Sequence, residues 1–180
     1  MDLKLKTISK DGIAEALSKV ELYRYLNEPE EAESICHDVL AADPDNQLAL
    51  RMLALTITDQ FEGQTSDRYA EAEKIFQSLA DPYERWYYTG LLQERRAKAQ
   101  IRAGRPAHML VGSFQEAMRC FEEAEKIRPP HNDDAVLRWN RCVRLLEKIG
   151  HVESESLESF LEDHDTAPVG LMRRPGRSGK

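Results

Sequence analysis

Cys36 and His37 place a nucleophile beside a base. Acyl transfer by such a pair needs the imidazole within hydrogen-bond reach of the thiol. Neighbours on a helix point about 100° apart, so direct adjacency works against the pair. His131, Asp133 and Asp134 supply metal-ligating and acid–base groups, but they stand just before an apolar-periodic stretch. Asn and Asp at such a place serve as helix caps, and capping is the expected role. Trp86, Tyr87 and Tyr88 are flat enough to stack on nucleobases. No adjacent basic cluster or glycine-rich phosphate loop accompanies them, so no nucleic-acid site is expected. Ser154, Ser156 and Ser159 lie among acids and are phosphate acceptors only by a short, common pattern. The remaining set is cationic: Arg95, Lys98, Arg102 and Arg105 fall at offsets 0, 3, 7 and 10, one stripe of a helix. The stripe suits an acidic partner, a solvated face, or a dock for the chain's own acidic residues 151–165. These groups do not add up to a catalytic constellation, and no enzyme activity, metal or cofactor is expected.

Composition sets the frame for these groups. A chain of 180 residues has room for one domain with a core. Leu and Ala are common and Val and Ile are not, which favours helix over sheet. A formal net charge of −7 argues against general affinity for nucleic acid. No run of about 18 apolar residues is present, so no membrane span is expected. The first twelve residues lack the apolar core of a signal peptide. Cys36, Cys120 and Cys142 are odd in number, far apart and outside any CxxC pair. They are expected to be buried thiols in a reducing, cytoplasmic compartment.

Taken in order, the chain reads as seven helices. Residues 1–11 form a lead-in, and Asp11 is the expected cap of a helix over 12–26. Asn27 breaks that helix and, with Glu30, has the spacing of a capping box for a second helix to Ala42. Pro29 is tolerated in its first turn. Asn46 starts a third helix, residues 61–66 form a loop, and a fourth helix runs from Asp67 to Leu79. Asp81-Pro82-Tyr83-Glu84 opens a long fifth helix that Gly104 stops after Ala103. Ser113 with Glu116 is the expected start of a sixth, ended by Pro129-Pro130. Asn132 or Asp133 caps a seventh over 134–148, and Gly150 is its expected stop. Residues 151–165 carry six acids and no Lys or Arg, with apolar spacing for a short helix. Residues 166–180 carry Arg173, Arg174, Arg177 and Lys180 with several Pro and Gly, and are expected to be disordered.

The same internal pattern recurs three times. Ala117, Phe121, Ala124 and Pro129 stand at offsets 0, 4, 7 and 12, as do Ala32, Cys36, Val39 and Pro44. Ala72, Phe76, Leu79 and Pro82 repeat it with the proline two residues earlier. This half-pattern resembles the A-x3-F…P half of the tetratricopeptide (TPR) repeat. The other half, W-x2-L-G-x2-Y, is matched at Trp86 and Gly90, with Thr89 and Gln93 departing from it. Ala54 takes the glycine place in the second repeat, and only Tyr23 matches in the first. The resemblance covers residues 12–150. It implies an all-α fold of three helix pairs stacked into a short right-handed superhelix (an α-solenoid), with helix 134–148 as a cap. The extra length lies inside each pair, near residues 60–66 and 96–111, where insertions leave helix pairing intact.

The resemblance also implies a job. The first helix of each pair lines a concave groove, which would bind a peptide or helix of a partner protein. On that pattern the groove carries Leu17, Glu21, Leu48, Arg51, Met52, Leu55, Tyr87, Tyr88, Leu91 and Arg95, with Asn140 and Arg144 from the cap helix. Leu48, Met52 and Leu55 are equally the types that fill a core. Members of the family that hold chaperone C-terminal carboxylate tails use a clamp of lysine, asparagine and arginine. The matching places here hold Leu17, Glu21, Met52, Glu84 and Tyr88, none of them a cation, so that ligand is not expected. Size, charge and repeat number also suit a small chaperone that holds a client segment before secretion or assembly.

Overall fold

The computed structural model describes residues 3–62 and 66–165. The expected loop at 61–66 and the basic tail at 166–180 fall partly and wholly outside them. Among the described residues the fold is all-helical: α1 (Ile13–Tyr25), α2 (Pro29–Ala42), α3 (Gln47–Asp59), α4 (Ser66–Ser78), α5 (Pro82–Arg102), α6 (Val111–Lys126) and α7 (Asp134–Asp165). A 3-10 turn precedes α1 and another precedes α6. No helix among the described residues is long and apolar enough to cross a membrane.

Three helix starts follow the expected chemistry. The Asn46 side chain accepts from the Ala49 amide, and the Asp81 side chain accepts from the Tyr83 amide. Asn132 accepts from the Asp134 amide and from the Tyr83 hydroxyl, so one amide caps α7 and ties it to α5. Three other starts need correction. Ser9, not Asp11, bonds the Gly12 amide, because a 3-10 turn comes before α1. Asn27 adopts a left-handed φ of 60° and ends α1, while Glu28 stands at the cap of α2 without a side-chain bond. Ser113 lies inside α6, which begins at Val111, and Glu116 pairs with Arg119 instead of closing a box. Gly150 does not end α7, which runs on to Asp165. One glycine costs only about 1 kcal/mol in a helix.

Each helix packs on the next, and the odd-numbered helices also touch one another: α1 with α3, α3 with α5, and α5 with α7. The three repeated patterns hold this stack together. Ala32, Cys36 and Val39 of α2, Ala72 and Phe76 of α4, Leu79 just after it, and Ala117, Phe121 and Ala124 of α6 are all buried. Alanine lets two helix backbones approach, and the larger residue a turn later fills the space beside it. α5 and α6 approach closely at Gly90. A methyl group at Gly90 would lie 2.7 Å from the Phe121 ring and 3.0 Å from the Ala117 carbonyl oxygen.

Aromatic rings extend this packing along α5. Tyr88 stacks on Phe76 with centroids 5.2 Å apart, and Tyr87 stacks on Tyr83 at 5.8 Å. Burial pushes the Tyr88 hydroxyl pKa up. The three cysteines are buried; burial pushes Cys36 and Cys142 up to about 12 and Cys120 up to about 11. They stay protonated near neutral pH and act as small apolar groups.

Candidate functional site

The C-terminal halves of α1, α3 and α5 and the start of α7 surround an open cleft of about 710 Å³. Four helices deliver their charged residues there because the odd helices run side by side. Asp59, the last residue of α3, stands between Arg24 of α1 and Arg95 of α5. Arg24 Nε donates to Asp59 Oδ2 at 2.7 Å, and Arg95 donates to Asp59 Oδ1. Arg95 also donates to Thr58 Oγ1 at 2.6 Å and to the Leu55 carbonyl at 3.3 Å. Burial lowers the Arg95 pKa and Asp59 opposes the shift. A second knot is centred on the residue just before Arg95 in α5. Glu94 is fully buried, pairs with Lys98, and lies 3.6 Å from Arg138 of α7. Its Oε2 has no hydrogen-bond donor among the described residues, so Arg138 meets it only as an ion.

The apolar content of the cleft is small and sits at its edge. Met52 lies on its wall, and its sulfur accepts from Arg24 at 3.8 Å. Tyr25 lines it and is 88% exposed. Leu22 and Leu26, one turn apart beside Tyr25, are also exposed, so the last turn of α1 presents an apolar patch.

The residues that the sequence assigns to a groove divide into four sets. Glu21, Met52 and Arg95 line the cleft, Met52 while also buried in the core. Leu17, Leu55 and Leu91 are buried in the core, Leu48 packs against it, and Tyr87 and Tyr88 are held in the aromatic stack. All six contribute to packing; Leu17, Leu55 and Leu91 are buried, and Leu48, Tyr87 and Tyr88 are half-buried. Arg51 is taken up by Glu84, which joins α3 to α5. Asn140 and Arg144 lie on α7 outside the cleft lining. Of the cationic stripe, Arg95, Lys98 and Arg102 reach the cleft, while Arg105 lies past the end of α5 and contacts Gln100.

Arg24 and Arg138 were not singled out from the sequence. They lie far from the stripe along the chain, and only helix packing brings them to it. His37 is exposed and 3.8 Å from Glu33, away from any partnership with the buried Cys36 thiol. Asp133 pairs with Arg128, which leaves the 131–134 group a helix-start arrangement. Among the described residues no cluster of three or more His, Cys, Asp or Glu side chains is placed to hold a metal ion. No known protein-family model matches the chain, and no curated protein shows a significant match to it.

Proposed function

We propose that this chain is a protein-interaction module, a divergent tetratricopeptide-like stack of helix pairs forming a short superhelix. Its row of odd helices presents a concave groove to a peptide or helix from a partner protein. The observation that carries this reading is the cleft across α1, α3, α5 and α7, lined in part by exposed Tyr25. Its volume is in the range of ligand-binding clefts. Exposed aromatic and arginine side chains together are the types that most often anchor partners. The module is proposed to act in the cytoplasm, where its three thiols would stay reduced.

The reading is tested by affinity capture from the source cell with the intact chain and a Tyr25→Ala/Arg102→Ala variant. Both residues are exposed, so the variant keeps its fold. A control carries Gln115→Ala on α6, which contributes nothing to the cleft. Loss of specific partners in the cleft variant alone is the expected result. Equal capture by all three proteins contradicts the groove.

A further inference from the structure

The cleft holds more positive charge than its carboxylates cancel. Asp59 is shared by Arg24 and Arg95, and Glu94 is shared by Lys98 and Arg138. Each shared carboxylate leaves one cation over. Arg102, exposed and without a partner among the described residues, adds another, and Glu21 on the wall takes one back. Five cations against three carboxylates is a local surplus of positive charge in a chain of net charge −7. In a cleft with protein walls such a surplus draws anions and strengthens their pairing.

We propose that the cleft binds an acidic peptide segment of a partner protein, with neighbouring Asp or Glu side chains paired to Arg24, Arg102 and Arg138. This rests on the groove reading above and specifies its ligand. Guanidinium groups pair carboxylates through two parallel hydrogen bonds, which fixes the segment's orientation as well as its charge. Tyr25 at the rim offers a surface for an apolar side chain next to the acids.

A second depression argues for a peptide over a nucleic acid. It shares Asn27, Pro29 and Asp59 with the cleft and is walled by Glu28, Glu30, Glu31 and Glu62. A nucleic-acid strand carries phosphate at every step, and it would run from the cations straight onto these acids. A peptide changes charge from one residue to the next. Its carboxylates sit on the arginines while neutral or basic residues pass Glu28 and Glu31.

The test is selection of displayed random peptides on the intact protein, followed by anisotropy titration of the best synthetic peptide. The selected peptides should be rich in Asp and Glu, and their affinity should fall with added salt. Arg102→Glu should weaken binding roughly tenfold and Glu21→Lys should tighten it, since each changes a cleft charge by two units. Arg102→Glu touches no ion pair, so it keeps the test valid if an Arg24→Ala variant unfolds. Peptides without acids that bind in a Tyr25-dependent way, unmoved by Arg102→Glu, overturn this inference and leave the groove standing. Failure to select any peptide that depends on Tyr25 or Arg102 overturns both. Tighter binding of oligothymidylate than of any peptide, lost in Arg102→Glu, overturns the inference in favour of a nucleic acid.

Discussion

Arg24 and Arg95, on different helices, hold opposite oxygens of one carboxylate, that of Asp59. The arrangement ties α1, α3 and α5 together at the floor of the cleft, and it leaves two guanidiniums facing one another across a single acid. Removing that acid should therefore cost more than a surface ion pair does. Asp59→Asn is expected to destabilise the fold by about 1.5–3 kcal/mol, the range for hydrogen bonds to charged groups. Urea unfolding checks it. The loss should shrink at high salt, because the uncovered repulsion between Arg24 and Arg95 is then screened.

Gly90 and Phe121 supply a second prediction. Gly90→Ala puts a methyl group into the Phe121 ring and should cost about 1–3 kcal/mol by overpacking. Phe121→Ala should cost about 3–5 kcal/mol through lost burial and a cavity. The two are coupled. In a Phe121→Ala background most of the Gly90→Ala penalty should disappear, leaving only the approach to the Ala117 carbonyl. Additive losses would mean that the two residues do not share this contact.

Gly150 is a helix residue with open space around it. Gly150→Ala should raise stability by about 0.5–1 kcal/mol with helix content unchanged by circular dichroism. A loss of stability would place the end of α7 at Gly150.

Glu33 gives the acid response. Burial pushes its carboxyl up, but hydrogen bonds from Arg68 and Gln60 outweigh burial and hold it below the ordinary value of 4.5. A lowered folded pKa means that the contribution is fully present above the unfolded value near 4.5 and is lost as pH falls through the folded one. Wild type should therefore be more stable than Glu33→Gln at neutral pH, with the gap closing at acid pH below 4.5. A gap that stays constant with pH would assign the effect to packing.

Much of the fold was legible because it depends on local chemistry and short-range spacing. Asn46, Asp81 and Asn132 act on amides two or three residues away, and the Ala32, Ala72 and Ala117 patterns repeat at helical offsets. Asp11, Asn27 and Ser113 each have a plausible capping spacing, but 3-10 turns precede α1 and α6, and Asn27 turns left-handed at the end of α1. Glycine favours helix ends, but a single glycine such as Gly150 is a weak breaker. The cleft was only partly legible. The stripe Arg95, Lys98 and Arg102 shows in the letters because it lies on one helix. Asp59, Arg24 and Arg138 come from three other helices, and no spacing in the sequence announces their meeting. Leu17, Leu55 and Leu91 have the types of both groove and core, and burial assigns them to the core.

Partners are proposed to bind across the odd helices at this cleft. Site-specific photo-crosslinking in the source cell tests it most directly, with a photoreactive phenylalanine replacing exposed Tyr25 in one version and exposed Gln115 in another. A discrete protein adduct is expected from position 25, absent from position 115 and reduced by Arg102→Glu. Adducts of equal yield at both positions, or an adduct at 115 alone, would contradict it.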